Sequence, residues 1–246
     1  MNQTKLILAS KRQLTRDVFE LKLTGDTSAI TNPGQFVNLK IGGLYLRRPI
    51  SVCDWCDGQL TLICRIVGQG TCALCDAPLG TEFDTLMGLG NGYDTLKSTD
   101  HPVLIGGGVG VPPLYALAKR LCAEGFIPTV ALGFASKDDC FYEEEFINLG
   151  CRVLVSTVDG SYGKSGFVTT MVQEDAPECN YVFCCGPEPM LKAVYNLPQL
   201  LDGQFSFEER MGCGFGACVG CTCKTKYGYK RICKDGPILC KEEIVW

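Results

Sequence analysis

The chain has 246 residues, of which 46% are hydrophobic and 20% are charged, and its formal net charge is −4. This composition indicates one large or two modest folded domains and excludes a disordered chain. The small negative charge gives no sign of nucleic-acid binding, and the sequence has no apolar run of about 18 residues that could cross a membrane. The N-terminus lacks the segments of a signal peptide, so we expect a cytoplasmic protein.

Cysteine is abundant and histidine is nearly absent, with 17 cysteines and the single histidine His101. In a chain without an export signal, an odd number of cysteines indicates reduced thiols. A Ser-His-Asp triad or a multi-histidine metal site would depend on His101 alone, which precedes Pro102 and is predicted to lie in a loop. Hydride and electron transfer need no such base, because cofactors supply the chemistry.

The first segment, residues 1–98, shows short strand patterns separated by turns. Strands are predicted at residues 5–9, 18–23, 35–41 and 59–67. Their even spacing predicts a small antiparallel β-barrel.

Two groups of residues in this segment are candidates for a nucleotide-like ligand: Arg48, Pro49, Ile50 and Ser51, and then Gly70 and Thr71. A guanidinium can neutralise a diphosphate, while a hydroxyl and glycine N–H groups complete an anion site.

The same segment contains two Cys-x2-Cys pairs, Cys53 with Cys56 and Cys72 with Cys75. Their separation of fifteen residues matches a zinc ribbon. The strand predicted between the pairs disfavours this alternative, because zinc ribbons place their cysteines on tight knuckles.

The second segment, residues 99–202, alternates strand, glycine-rich turn and helix, which predicts a parallel sheet flanked by helices. Strands are predicted at residues 103–105, 129–134, 152–157 and 181–184. Ligands bind outside the carboxyl ends of such strands, where three loops should meet. The candidate residues in these loops are Gly106, Gly107, Gly108, Gly110, Asp159, Cys185 and Gly186.

The first of these loops follows a strand and opens a helix, as a pyrophosphate-binding turn does. Pro112 and Pro113 are predicted to occupy the first helical turn, where a missing N–H costs little. For the nicotinamide nucleotide, the turn at residues 134–139 offers one lysine beside two aspartates. An NADP site would gather basic residues for the 2′-phosphate, so NADH is favoured.

The third segment, residues 203–246, contains Cys213, Cys218, Cys221 and Cys233 with the ligand spacing of a plant-type [2Fe-2S] cluster. A four-thiolate zinc site is the alternative, but zinc sites use two short cysteine pairs. Cys223 and Cys240 are predicted to be packing residues. A hydride carries two electrons and the cluster accepts one, so a flavin is expected between them.

In this order, the motifs resemble the ferredoxin-reductase family. Within it, they are most similar to the electron-transfer subunits of the NAD-dependent, two-subunit (type B) dihydroorotate dehydrogenase. The resemblance covers nearly the whole chain, and its motifs lie at residues 33–36, 48–51, 70–71, 106–113, 141–145, 159–163, 185–190, 208–213 and 233–237.

The resemblance implies a multi-domain β and α/β protein: a flavin-binding antiparallel barrel at 1–98, an NAD-binding parallel-sheet domain at 99–202 and a small [2Fe-2S] domain at 203–246. FAD would be held by the candidate residues of the first segment and also by Ile63, Cys64 and Arg65, with residues 90–92 closing over it. NADH would dock with its nicotinamide near Cys185.

The resemblance also implies a partner. Electrons would pass from the cluster to an FMN-containing dihydroorotate dehydrogenase catalytic subunit, in a heterotetramer of two copies of each chain. Orotate would be formed on that partner and not on this chain.

Some residues depart from the family pattern. Ile50 stands where wider ferredoxin reductases have tyrosine, Met87-Gly88 replaces Gly-Pro, and only eleven residues separate Cys221 from Cys233. A basic patch is expected to contact the partner or raise the cluster potential. It consists of Lys224, Lys226, Lys230, Arg231 and Lys234.

Two other functions stay open. One is the small subunit of an NADH-dependent ferredoxin oxidoreductase or of a sulfide dehydrogenase-like complex. The other is a redox-sensing or metal-sensing binding module that uses the many cysteines.

Overall fold

A computed structural model describes residues 2–98 and 101–246. The first six strands close into an antiparallel barrel in the order β1-β2-β5-β4-β3-β6. Their apolar residues point inward at alternate positions, and Leu6, Leu8, Leu21 and Leu23 are fully buried. The strands are β1 Asn2–Gln13, β2 Val18–Thr24, β3 Phe36–Leu39, β4 Arg48–Cys56, β5 Gln59–Arg65 and β6 Glu82–Leu89.

Two of these strands and one helix were not expected from the sequence. Strand β4 begins with four half-buried residues, Arg48 to Ser51, so it lacks a clear inside and outside pattern at its start. Strand β6 is paired between β1 and β3, which lie far from it in the sequence. Helix α1, Gln69–Asp76, covers the barrel by burying Leu74 and Cys75. Pairing and packing over long sequence separations therefore define these elements.

The second unit is a seven-stranded sheet. Its strands are β7 Val103–Gly107, β8 Thr129–Phe134, β9 Arg152–Thr157, β10 Lys164–Ser165, β11 Tyr181–Cys185, β12 Asp202–Ser206 and β15 Ile238–Cys240, and their order is β10-β9-β8-β7-β11-β12-β15. All its neighbouring strands are parallel except β12 and β15. The helices of this unit are α2 Pro112–Ala123, α3 Glu143–Asn148, α4 Val168–Asp175 and α5 Glu188–Tyr195. The predicted barrel and parallel sheet are confirmed.

The C-terminal segment forms a hairpin and then returns to the sheet. Its elements are β13 Thr222–Thr225, β14 Gly228–Arg231, α6 Ile232–Asp235 and β15 Ile238–Cys240. Strand β15 pairs with β12, with Leu239 opposite Phe205. Strand β12 lies across the predicted boundary between residues 202 and 203, and the domain limits stay predictions.

Helix α2 fixes the barrel against the sheet. It begins at Pro112, with both prolines in its first turn as expected. Further along, Lys119 Nζ lies 3.0 and 2.8 Å from the two carboxylate oxygens of Asp54 on β4. Arg120 donates to Asn32 Oδ1 at 3.0 Å. A cleft lies between the barrel and the carboxyl ends of the parallel strands.

Across the described residues, no helix combines the length and apolar character that a membrane span requires.

Candidate functional site

The cleft between the barrel and the sheet has a volume of about 740 Å³. On the sheet side it is lined by the carboxyl ends of β7, β8 and β9 and by the start of α5. On the barrel side it is lined by Val18 and Arg65, together with the turn before Val18. Its place at the carboxyl ends of parallel strands is where nucleotides bind in α/β sheets.

The glycine turn after β7 packs closely on the loop after β11. A Cβ atom on Gly107 would lie 2.5 Å from Met190 Sδ, and one on Gly110 would collide with the carbonyl oxygen of Cys185. Side chains at these positions would separate the two loops. The structure therefore brings the predicted glycines together with Cys185 and Gly186, and Gly107 and Gly108 line the cleft.

Gly107 and Gly108 line the cleft, whereas the other five predicted nucleotide residues do not: Gly106, Gly110, Asp159, Cys185 and Gly186. Asp159 Oδ1 accepts hydrogen bonds from the Ser161 hydroxyl at 2.6 Å and the Ser161 N–H at 3.0 Å, and these bonds lower the Asp159 pKa. Cys185 is buried beneath the loop, and burial raises the pKa of its thiol to about 12. Asp159 and Cys185 therefore each shape their own loop, whereas their neighbours Val158 and Pro187 line the cleft.

Several cleft residues were missed by sequence reasoning. Thr15, Arg16 and Asp17 form the turn between β1 and β2, which carries no recognisable motif. Phe141 also lines the cleft. It belongs to the motif at residues 141–145, and the family resemblance of that motif is a signal that could have indicated Phe141.

Arg48 and Gly70 meet on the outside of the barrel. The Arg48 guanidinium lies directly over Gly70, and a Cβ atom there would collide with Arg48 Nε. Thr71 Oγ1 accepts from the N–H groups of Val67 at 2.9 Å and Gly68 at 3.2 Å, which fixes the loop that enters α1. A guanidinium beside a helix N-terminus suits a diphosphate. This cradle fits the flavin nucleotide expected there.

The other candidate flavin residues lie on neighbouring strands. Pro49, Ile50 and Ser51 of β4 pair with residues of β3. On β5, Ile63 and Cys64 are buried, and Arg65 donates through Nε to Asp17 Oδ2 at 2.8 Å. Cys64 points into the barrel core, so only its backbone faces outward.

The four cysteines of the third segment approach one another as two pairs. The Cys218 N–H lies 3.4 Å from Cys213 Sγ, and the Cys233 N–H lies 3.5 Å from Cys221 Sγ. Within the part of the chain that the structure describes, no three Cys, His, Asp or Glu side chains are grouped to hold one metal ion. Two pairs correspond instead to a binuclear cluster, in which each iron takes two thiolates.

The backbone around Cys213 favours its thiolate. Burial raises the Cys213 pKa, but hydrogen bonds from the N–H groups of Cys218, Phe215 and Ala217 outweigh this and lower it to about 6. Gly216 has a φ of 88° and lies under Lys234, so a side chain would not fit. N–H groups that converge on sulfur fit an iron–sulfur cluster.

The cysteine loop lies directly against the barrel. Asn38 on β3 is 1% exposed and donates through Nδ2 to the carbonyl oxygen of Cys213 at 3.3 Å. Its Oδ1 is buried and accepts no hydrogen bond from another described residue. Residues 90–92, expected over the flavin, hold the C-terminal segment: Asn91 donates to the Ile238 carbonyl at 2.8 Å and accepts from its N–H at 3.1 Å. Their contact with a flavin stays a prediction.

The remaining cysteines occupy several environments. Cys53 is fully buried near the barrel–sheet junction, whereas Cys75 packs inside the barrel. Cys56 is exposed at the end of β4, and the Cys72 thiol lies 3.1 Å from an Asp76 carboxylate oxygen. The buried member of each Cys-x2-Cys pair, Cys53 or Cys75, therefore packs in a different cluster.

The family comparisons agree with this geometry. Residues 208–245 match the family model described as the iron–sulfur cluster binding domain of dihydroorotate dehydrogenase B. The solved structure of an NADH-dependent reduced ferredoxin-NADP oxidoreductase has a TM-score of 0.87 at 28% identity, covering 98% of this chain and 90% of that one. The cytochrome b5 reductase domain of Ulva prolifera nitrate reductase, at 17% identity and a TM-score of 0.65, covers 81% and 92% and shares the fold.

The fold, the cleft and the cysteine loop define an oxidoreductase of the ferredoxin-reductase class with an iron–sulfur domain. Curated relatives make the assignment narrower. The dihydroorotate dehydrogenase B (NAD(+)) electron transfer subunit of Lysinibacillus sphaericus is 43% identical, with 98% of both chains covered. That of Fusobacterium nucleatum is 44% identical, with 94% of both covered. The chain belongs to the family of electron transfer subunits of dihydroorotate dehydrogenase B, which confirms the resemblance of its motifs.

Proposed function

We propose that the chain transfers electrons between NAD(H) and a dihydroorotate dehydrogenase catalytic subunit, in pyrimidine (UMP) biosynthesis. The observation that carries the proposal is the continuous arrangement of three sites. The cleft opens beside Arg65 of the barrel, the Arg48–Gly70 cradle lies on the same barrel, and the cysteine loop contacts it at Asn38. All three sites therefore border the same barrel, as a chain of electron carriers requires.

FAD is proposed to bind along the barrel, with its diphosphate at the cradle of Arg48 and Gly70. A bound flavin accepts the two electrons of a hydride and releases them singly, which connects NADH with a one-electron cluster. The chain's own residues orient that cofactor and neutralise its charge. They are Arg48, Pro49, Ile50, Ser51, Ile63, Cys64, Arg65, Gly70 and Thr71.

NAD(H) is proposed to bind in the cleft, with its pyrophosphate on the turn of Gly106, Gly107, Gly108 and Gly110. Asp139 lines the cleft and accepts from the Ser136 hydroxyl at 2.7 Å. A carboxylate fixed there suits a free ribose hydroxyl and repels a 2′-phosphate. This supports NADH as the nucleotide.

The cluster is proposed to be a [2Fe-2S] centre held by the pairs Cys213 with Cys218 and Cys221 with Cys233. The N–H groups around Cys213 stabilise negative charge on sulfur. Cys223 and Cys240 remain assigned to packing.

The partner is proposed to be an FMN-containing catalytic subunit, in a complex with two copies of each chain. Within the basic patch, Lys230 pairs with Glu243, and Arg231 binds Asp235 and the Gly216 carbonyl. Lys224 and Lys226 form no ion pair with another described residue, and the nearby side chains of Val219, Tyr227 and Tyr229 are exposed. These residues suit a partner surface with acidic and apolar groups.

The partner proposal is tested by reversing the charges of Lys224 and Lys226 and measuring complex mass and affinity. Lys22→Glu on the barrel is the control. We expect weaker association at low salt only for the double variant. Unchanged association would remove these lysines from the interface, and a mass other than two copies of each chain would overturn the stoichiometry.

The function itself is tested by anaerobic purification, a visible spectrum, iron and sulfide analysis, and titration with NADH and then NADPH. We expect one flavin and two irons per chain, and bleaching mainly by NADH. Zinc in place of iron, without flavin, would contradict the proposal.

The similarity to the NADH-dependent reduced ferredoxin-NADP oxidoreductase supports a second candidate, the small subunit of a ferredoxin oxidoreductase. Reduction of the purified complex by dihydroorotate separates the two, since only the first candidate predicts it.

A further inference from the structure

A five-residue segment, Phe141-Tyr-Glu-Glu-Glu145, connects the nucleotide cleft with the barrel. Phe141 lines the cleft and packs against Phe134, with ring centroids 5.4 Å apart. Glu143 accepts from the Tyr162 hydroxyl at 2.9 Å, in the loop after β9. Tyr142 and Glu145 point the other way and contact the barrel.

Tyr142 adopts an unusual backbone conformation. With a φ of 68° it is the one non-glycine residue in the left-handed region among residues 2–98 and 101–246. A bulky side chain is disfavoured there and stays only where its surroundings hold it. Tyr142 is 6% exposed, and Tyr115 packs edge-on against its ring at 5.2 Å.

A closed set of polar contacts holds this conformation. The Tyr142 hydroxyl donates to Glu20 Oε2 at 2.7 Å, and Glu20 is itself 6% exposed. Arg12 donates to the same Glu20 oxygen at 3.0 Å and to Glu145 Oε1 at 2.9 Å. The contacts run from Tyr142 through two barrel strands and back to α3, so they fix the segment against the barrel.

These contacts bear directly on the cleft. Glu20 lies on β2 two residues after Val18, which lines the barrel wall of the cleft, and Tyr142 directly follows Phe141 of the opposite wall. A change in the Tyr142–Glu20 contact would therefore shift one wall relative to the other. Hydride transfer is sensitive to such shifts, because donor and acceptor atoms must lie close together.

We propose that Tyr142, anchored by Glu20, is a positioning residue that sets the width of the cleft for hydride transfer from NADH. The proposal rests on the proposed nucleotide site. Tyr142 acts through the two walls and does not touch the nucleotide.

The test uses the complete two-subunit complex and Tyr142→Phe, which removes the hydroxyl and keeps the ring. Rapid mixing with NADH measures the dissociation constant and the limiting rate of flavin reduction. We expect the limiting rate to fall on the order of tenfold and the dissociation constant to change by less than about twofold. Reduction of the same flavin by dihydroorotate through the partner should keep its wild-type rate.

Matched variants sharpen the test. Tyr115→Phe removes the hydroxyl of the neighbouring tyrosine, keeps its ring contact with Tyr142 and does not affect the Glu20 contact, so it should behave as wild type. Glu20→Gln keeps an acceptor for the Tyr142 hydroxyl and should retain more of the limiting rate than Glu20→Ala.

Two outcomes would overturn the proposal: a wild-type limiting rate in Tyr142→Phe, or equal slowing from the NADH side and the dihydroorotate side. A wild-type complex that NADH does not reduce would instead reject the proposed function.

Discussion

Arg48 and Gly70 show how one missing side chain can create a binding feature. The guanidinium occupies the space that a Cβ atom on residue 70 would fill. The group that would have to move is the flexible end of an arginine, so Gly70→Ala should fold normally and displace Arg48. Loss of a charge-assisted contact with a diphosphate costs about 1.5–3 kcal/mol, so we expect FAD to bind roughly 10- to 100-fold more weakly.

The measurement is the FAD dissociation constant of the deflavinated chain, followed by flavin fluorescence. Gly68→Ala is the matched control, because no atom lies within 4 Å of its Cβ position. Wild-type FAD affinity in Gly70→Ala would show that Arg48 does not bind the cofactor.

Asp17 and Arg65 form an ion pair at the barrel wall of the cleft. The hydrogen bond from Arg65 lowers the Asp17 pKa below its ordinary value of 3.8. A carboxylate whose pKa is lowered on folding contributes stability that is present above 3.8 and lost as the pH falls through the lowered value. The pair should therefore be intact at neutral pH. Because both groups are partly exposed, its contribution is less than about 1 kcal/mol.

Urea unfolding at neutral pH and at about pH 3 checks this prediction. Asp17→Asn should lower the free energy of unfolding at neutral pH, and the difference from wild type should shrink in acid. A difference that grows in acid would contradict this sign. Asp57→Asn, in the exposed turn between β4 and β5, is the control.

At the scale of elements, Asn91 joins the end of β6 to the start of β15. Its side chain satisfies both backbone groups of Ile238, which is 4% exposed. Asn91→Ala leaves a buried donor and acceptor unpaired, which costs about 2 kcal/mol or more and lowers Tm by roughly 4–8 °C. Thermal unfolding measures the change.

Asn196→Ala is the control for that variant, since the Asn196 side chain lies at the end of α5 and donates to the Lys192 carbonyl of that helix. Asn196→Ala should change the free energy of unfolding by no more than about 0.5 kcal/mol. If both variants melt alike, Asn91 does not secure the C-terminal segment.

Local patterns predicted some elements and not others. Neighbouring residues were enough to predict strand β2, from its alternating buried positions, and the glycine turn before Pro112. The same is true of the cysteine spacing from Cys213 to Cys221. Strand β15 is three residues long and is defined by its pairing with β12, so no local pattern marks it. The turn before Val18 carries no motif, so the sequence does not show that this turn lines the cleft. Its role depends on the contact between the barrel and the sheet.

At the scale of the whole molecule, the cleft and the cysteine loop both border the barrel, which carries the proposed flavin cradle of Arg48 and Gly70. Removal of one cluster cysteine should therefore block electron transfer between the flavin and the partner, and it should leave transfer from NADH to the flavin intact. Cys218→Ser breaks the Cys213–Cys218 pair, and iron and sulfide should fall to near zero because one iron loses a thiolate. The cleft and the cradle are unaffected, so NADH should still bleach the flavin. Dihydroorotate, acting through the partner, should no longer reduce it.

Cys223→Ser is the matched control, since Cys223 packs beside the core and lies outside both pairs. It should keep its iron, and both NADH and dihydroorotate should still reduce the flavin. Iron analysis and rapid mixing of the complex with each reductant distinguish the variants. Full iron content in Cys218→Ser would remove this cysteine from the cluster, whereas dihydroorotate-driven reduction without iron would show that electrons reach the flavin by another route.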